Sequence, residues 1–382
     1  MKKKIILIAM LSLIIVLSIA PTMCVSQSNN SDNNAFGEYL TEFNSGIVIK
    51  ANNENEKHEI ASMVKIMTAL LTFEAVERGQ ISLEQMVSIS SEASSMGGSQ
   101  MFLDTNAEYS VSDLIKGVIV VSANDASVAL AELIAGGHSS FVNMMNSRAQ
   151  ELGMVNTKFV NATGLPSQQE QYSTAKDVNI MTRQLMKHPK YFDYAKIWVE
   201  DYKHPSGRIT QFANTNKLIR FYKGCIGGKT GFTTTAGFCL SACAERSNLK
   251  VVATVVGAKD SKGRFNQVRG MFDYAFANYQ NKVVYQANKS MDNKLNIKNG
   301  KASQISVCPN LDICVLSNKD KDLSTITIEL PDFVKAPIKA GDIVGRAKVV
   351  TNESEYSVDL IAMEDVGKAT IWDKIYKIFS KF

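Results

Sequence analysis

The chain has 382 residues, 45% of them hydrophobic and 21% charged. That globular composition excludes a disordered or fibrous protein, and the length suggests two or more folded units. Net charge is +5, of which Lys2, Lys3 and Lys4 supply three; the near-neutral remainder, with no basic run, argues against nucleic acid as a partner, and the scattered His58, His138, His188 and His204 offer no clustered metal-ligand spacing.

Residues 1–26 read as an export signal: three lysines, the apolar run IILIAMLSLIIVLSI, then Pro21 and small residues. Pro21 disfavours cleavage after Ala20, so a cut near Ser26 is expected. An uncleaved anchor is the alternative, although the run is short for a full span. Residues 27–34, QSNNSDNN, are a polar linker. A strand pair is expected around 38–43 and 46–50, split by Asn44-Ser45.

From Ala61 to Arg78 the apolar residues Met63, Ile66, Met67, Leu70, Leu71 and Val76 recur at helical steps. Ser62-Met63-Val64-Lys65 opens this helix. Its spacing puts the Ser62 hydroxyl and the Lys65 amine on one face, where the lysine can act as base once its surroundings disfavour the ammonium form. Helix is also expected over 112–134, broken at residues 122–125. There Ser122-Ala123-Asn124 would sit on a connecting loop, with Ser122 able to relay a proton and Asn124 able to hold an amide. A further helix is expected over 177–186.

Lys229-Thr230-Gly231 precedes a strand over 237–244. The lysine reads as a fixed cation and the threonine as a hydroxyl donor for a substrate carboxylate, while the glycine lets a substrate backbone lie close. Residues 251–256 read as a buried neighbouring strand and 266–278 as helix. Ser247-Asn248-Leu249-Lys250 repeats the Ser-x-x-Lys spacing in a charged, turn-like setting and reads as a decoy; Ser31-Asp32-Asn33 lies in the linker and reads as chance. Cys239 and Cys243 are expected to be buried thiols, whereas Cys308 and Cys314 flank PNLDI and could close a small loop.

After about residue 284 the texture becomes β-rich, with alternating Ile326, Ile328 and Leu330 and an Asn299-Gly300 turn signal. In residues 367–382, Ile371, Trp372, Ile375, Ile378, Phe379 and Phe382 share one helical face, with lysines mostly elsewhere. Such a helix suits a membrane interface, the alternative being packing on its own β-domain.

Ser-x-x-Lys, Ser-x-Asn and Lys-Thr-Gly in this order are the motif set of penicillin-interacting serine enzymes. The chain resembles the low-molecular-mass D-alanyl-D-alanine carboxypeptidases of the penicillin-binding protein 5 type. ASMVKIMTALL, GGSQMFL, VVSANDASVALAE, NATGLPSQQEQYSTAKD, GGKTGFTTTAGFCLSA and APIKAGDIVGRAKV carry the likeness over nearly the whole mature chain.

The resemblance implies an α/β (α+β) penicillin-binding, β-lactamase-like transpeptidase fold: an antiparallel sheet flanked by helices over 35–283, a β-rich domain over 284–366 and a C-terminal amphipathic helix over 367–382. It implies Ser62 as nucleophile, Lys65 as base, Ser122 and Asn124 as the second element, Lys229, Thr230 and Gly231 facing the substrate, and Arg264 on its terminal carboxylate. The backbone N–H groups of Ser62 and Phe232 would form the oxyanion hole. It implies a peptidoglycan stem peptide ending in D-Ala-D-Ala as substrate, β-lactams as inhibitors, no metal or organic cofactor, and a place on the outer face of the plasma membrane. Ile60 stands where the family usually has Pro, and Phe232 where His or Tyr is common. A serine β-lactamase fits less well because no Glu-x-x-Leu-Asn segment follows Ser122. A transpeptidase or endopeptidase using the same site, and a silent penicillin-binding scaffold, are the other readings.

Overall fold

The computed structural model describes residues 35–318, 324–350 and 355–373. The expected export signal, the linker with its Ser31-Asp32-Asn33, and positions 374–382 of the terminal helix lie outside the described residues.

The chain opens with β1 (Gly37–Glu42) and β2 (Val48–Asn52), the expected antiparallel pair. Helices α1 (Lys65–Glu77), α2 (Val111–Lys116), α3 (Asn124–Ala135), α4 (His138–Glu151) and α5 (Ala175–Leu185) follow. Then come β3 (Cys225–Thr233), β4 (Gly237–Arg246), β5 (Leu249–Ala258) and α6 (Ser261–Asn278). The five strands form one antiparallel sheet in the order β2-β1-β5-β4-β3. β3, the strand of the Lys-Thr-Gly motif, is therefore an edge strand.

Strand periodicity explains how this sheet separates two cores. Val252 and Val256 of β5 join the core built on α1, α3 and α5. Their alternating neighbours Val251, Ala253 and Val255 pack with Phe265, Val268, Met271 and Phe272 of α6 on the other face. That two-sided burial is why residues 251–256 read as a continuous apolar run. The decoy Ser247 and Asn248 make the β4–β5 turn, with φ of 45° and 67°.

A second β-rich region follows. β6 (Tyr279–Tyr285) continues straight from α6 and pairs with β9 (Ile313–Asn318), crossing the expected boundary at residue 283 without a break. β7 (Lys294–Lys298), β8 (Gln304–Pro309), β10 (Thr325–Glu329), β11 (Val334–Lys335), β12 (Ile343–Val350) and β13 (Glu355–Ala362) form a six-stranded sheet in the order β10-β12-β13-β8-β7-β11. Asn299, at φ 60°, makes its turn just after β7. Cys308 and Cys314 are both free thiols, so the PNLDI loop closes without a disulfide; Cys239 and Cys243 are buried free thiols.

At the far end, Thr370 accepts from the Asp373 backbone N–H, while the Asp373 carboxylate accepts from the Thr370 N–H and hydroxyl. This reciprocal cap marks a helix start. Ile371 and Trp372 are exposed.

Candidate active site

The nucleophile turn comes first. Ser62 does not lie on the long helix itself but on a single 3₁₀ turn, Ala61–Val64, that leads into α1 at Lys65. Ala61, directly before it, holds φ of 46°, a left-handed conformation that costs a non-glycine residue about 1–2 kcal/mol. Two glycines clamp this turn. A Cβ at Gly164 would fall 2.0 Å from Ala61 O, and one at Gly231 would fall 2.5 Å from Ile60 O. Gly231 is thus required by close approach of the nucleophile turn to β3, not only by a substrate backbone. The contact registers Ser62 against the Lys-Thr-Gly strand.

The Lys65 amine lies 2.9 Å from Ser62 Oγ and donates to Thr163 O at 2.5 Å. Lys65 is fully buried. Burial first, and then the neighbouring Lys229 charge, hold its pKa well below 10.5; Asp125 acts in the opposite sense. The amine is therefore disposed to be neutral and to accept the serine proton.

Ser122 follows a single π turn, Gly117–Val121, and takes φ of 64°. Turns of this kind are frequent at functional sites. This reversal aims the Ser122 hydroxyl at β3, where Lys229 Nζ donates to it at 2.7 Å. Burial, then the Arg264 charge, lowers the Lys229 pKa to about 7. Burial thus weakens the Lys229 ammonium, and an arriving carboxylate would favour its charged form. Asn124 starts α3, its N–H donating to Ser99 O and its Nδ2 to Gly97 O, both at 2.7 Å. Its Oδ1 is buried and unpartnered. The structure thus brings together two hydrogen-bonded pairs, Ser62–Lys65 and Ser122–Lys229, close enough for the Lys229 charge to act on Lys65, with Thr230 buried on β3 next to Lys229.

The sequence profile of the D-alanyl-D-alanine carboxypeptidase family matches residues 24–260, and that of the penicillin-binding protein 5 C-terminal domain matches residues 279–368. The chain belongs to the D-alanyl-D-alanine carboxypeptidase family. It is 36% identical to D-alanyl-D-alanine carboxypeptidase DacF of Bacillus subtilis, over 93% of each chain, and 33% identical to DacA of Haemophilus influenzae, over 88% of this chain and 86% of that one. Its fold is similar to that of penicillin-binding protein 5 from Haemophilus influenzae (TM-score 0.68, 30% identity, 88% of this chain and 98% of that one). It is also similar to a point mutant of the DD-transpeptidase of Streptomyces K15 (TM-score 0.60, 28% identity, 64% of this chain and 98% of that one). Fold, family and serine-type carboxypeptidase chemistry thus agree with the expectations from sequence.

Three groups in this carboxypeptidase escaped the motif reading. The first is Asn161, whose Oδ1 accepts from the N–H groups of Thr163 and Gly164 and from the Thr163 hydroxyl. It shapes the turn that presents Thr163 O to Lys65. The NATG segment carried that signal, as an Asx turn ahead of a glycine.

The second is Asp125, one residue past the Ser-x-Asn motif. Its buried carboxylate accepts from the N–H groups of Met101 and Leu103, each at 3.1 Å, and of Ala126 at 2.9 Å. Between the first two, Phe102 is held at φ of 63°. Asp125 thereby fastens the 97–104 loop to the start of α3. Asp125→Ala leaves buried N–H donors unsatisfied and is expected to cost about 1–3 kcal/mol, read by urea denaturation.

The third is Tyr191. Its buried hydroxyl accepts from the Gly228 N–H at 3.0 Å, and a Cβ at Gly227 would strike its ring at 2.8 Å. The ring thus seats the strand directly ahead of Lys229.

Arg264 lies in the first turn of α6, not before the helix as expected. Its Nη1 donates to Gly231 O at 2.9 Å and Cys239 O at 3.2 Å. In this arrangement the guanidinium braces β3 and β4, and its charge disfavours the ammonium form of the nearby Lys229. Phe232 is half exposed and stacks on Phe238 with ring centroids 4.3 Å apart. Among the described residues no group of His, Cys, Asp or Glu side chains could hold a metal ion.

Proposed function

We propose that this carboxypeptidase removes the terminal D-Ala from peptidoglycan stem pentapeptides through an acyl-Ser62 ester. The observation that carries this reading is the buried Lys65 amine 2.9 Å from Ser62 Oγ, with the Ser122–Lys229 contact as a second polar pair of the site. Ser62 attacks the carbonyl between the two D-alanines while Lys65 takes its proton. The backbone N–H groups of Ser62 and Phe232 receive the oxyanion. Ser122 passes a proton to the leaving amine, Asn124 holds the substrate amide, and Lys229, Thr230 and Arg264 supply the pole for the terminal carboxylate. D-Ala departs, and water hydrolyses the ester. β-Lactams acylate Ser62 as substrate mimics.

Mass spectrometry of a pentapeptide muropeptide incubated with the enzyme, wild type beside Ser62→Ala, tests this. Loss of one alanine with the wild type only supports it. Cross-linked dimers instead would move the activity to transpeptidation, the reading favoured by the likeness to the Streptomyces K15 enzyme. No change in either sample would leave a silent penicillin-binding scaffold.

We further propose export, with peripheral attachment to the outer face of the plasma membrane through residues 367–382. The Thr370–Asp373 cap and the exposed Ile371 and Trp372 support a helix starting there with apolar residues facing outward. No helix among the described residues is long and apolar enough to cross a membrane. Full-length protein is expected to sediment with anionic liposomes and a chain ending at Val366 is not. Equal binding by both would overturn the assignment.

A further inference from the structure

The 2.7 Å contact between Lys229 Nζ and Ser122 Oγ joins distant parts of the chain, so both backbones must be held for it to form. On the Lys229 side the unit that is held is the peptide group between Gly227 and Gly228. Its N–H donates to the Tyr191 hydroxyl at 3.0 Å, and its carbonyl accepts from Asn216 Nδ2 at 3.3 Å. Two side chains thus grip one peptide group by its two ends, directly ahead of Lys229. The register of β3 against β4 shifts between Cys225 and Gly227, so the grip falls where the regular ladder is interrupted.

On the Ser122 side, the Thr215 N–H donates to Val120 O at 3.1 Å, within the π turn Gly117–Val121 that ends at Ser122. Thr215 and Asn216 are consecutive. One dipeptide therefore holds a carbonyl in the turn before Ser122 through its main chain, and a carbonyl in the strand before Lys229 through its side chain. The dipeptide is anchored in turn. Asn214 Oδ1 accepts from the Asn216 N–H at 2.9 Å, and Asn214 Nδ2 donates to Ala195 O at 3.2 Å and Ile197 O at 2.8 Å. Ala195 closes the helical turn that begins at Tyr191, so the two grips on the glycine peptide share one support. Asn216 is fully buried, and its Oδ1 accepts from the Leu218 N–H at 3.1 Å. Both ends of this buried amide are thus bonded to main chain, and a network satisfied in this way rigidifies what it joins. Ser62 and Lys65 do not use it: their own 3₁₀ turn, Thr163 and Gly164 place them.

We propose that Asn216 is a positioning residue for substrate capture. Its amide, acting with Tyr191 on the Gly227–Gly228 peptide, sets Lys229 against Ser122 so that the pair can receive a terminal carboxylate. This rests on the carboxypeptidase reading above and adds a residue to it. The expected consequence is selective. Loosening the grip weakens recognition of a carboxylate-bearing ligand while the nucleophile and its base stay in place.

The test compares acylation of Ser62 by benzylpenicillin with acylation by benzylpenicillin methyl ester, which keeps the reactive ring and lacks the carboxylate. The readout is the ratio of the two second-order rate constants. The variant is Asn216→Ser, whose oxygen can still accept the Leu218 N–H, as in an ST turn, but is too short to reach Gly227 O. Wild type is expected to prefer the acid. Asn216→Ser is expected to lower that preference by about tenfold, the scale of one hydrogen bond to a charged group, with the ester rate little changed. An unchanged ratio, whether both rates fall together or neither moves, overturns the inference. Should Asn216→Ser fail to fold, Tyr191→Phe decides the matter: it removes the hydroxyl at the other end of the same peptide group, and a parental ratio there overturns the inference. A wild-type ratio near one also overturns it, and D-Ala release from the pentapeptide then leaves the carboxypeptidase reading standing. Wild type that neither acylates with benzylpenicillin nor releases D-Ala overturns that reading, and this inference with it.

Discussion

Lys65→Arg acylates with benzylpenicillin about 10²–10⁴-fold more slowly than the parent enzyme, the range spanned by general-base contributions. Arginine preserves the positive charge and part of the length but cannot give up its proton near neutral pH. The loss therefore isolates the base role from any role of charge. The site already favours a neutral amine, because burial and the adjacent Lys229 charge both hold Lys65 well below its usual range. The sign of the pH dependence follows. Acylation needs neutral Lys65, so its rate rises as pH rises through the Lys65 titration. Lys229→Met removes one of the two influences that lower this pKa, so the acidic limb moves to higher pH. Stopped-flow acylation against pH checks both variants; an unmoved limb in Lys229→Met would dissociate the two lysines.

Gly164→Ala lowers acylation by at least about 100-fold, since a displacement near 1 Å of a reacting group can cost that much. At φ of 79° the backbone there suits glycine, and holding alanine in it costs about 1–3 kcal/mol. The larger effect is steric. The new methyl would lie 2.0 Å from Ala61 O and 3.0 Å from the Ser62 backbone nitrogen, both main-chain atoms of the nucleophile turn. Relief requires moving Ser62 and an N–H assigned to the oxyanion hole. Circular dichroism separates the two consequences: a retained fold with lost acylation marks displacement of the nucleophile, whereas wild-type acylation in a folded Gly164→Ala protein would remove the clamp from the argument.

The two predictions differ in how far they could be read before the fold was known. Ser62 and Lys65 are three residues apart, and helical geometry alone brings their side chains together. The same locality made β1 and β2 and the buried run of β5 readable, since alternation is a short-range pattern, whereas α3 starts at Asn124, inside the stretch read as a connecting loop. Ser247 shows the limit of that logic. It has the same spacing to Lys250, yet the strands on either side turn it into a β-hairpin corner.

Gly164 lies about a hundred residues from Ala61, and its requirement for glycine exists only where the two backbones meet. Asp125 looks in sequence like an ordinary acid in the first turn of a helix; its partners at Met101 and Leu103 come from a separate loop. The lysines illustrate the same division. Type and order were enough to nominate Lys65 and Lys229 as base and cation. Their lowered pKa values arise from burial and from mutual approach across 164 residues of chain, and neither desolvation nor a through-space charge has a signature in local spacing. Motif identity is a short-range property and was legible residue by residue. The state of those motifs, neutral or charged, clamped or free, depends on what packs against them from distant parts of the chain.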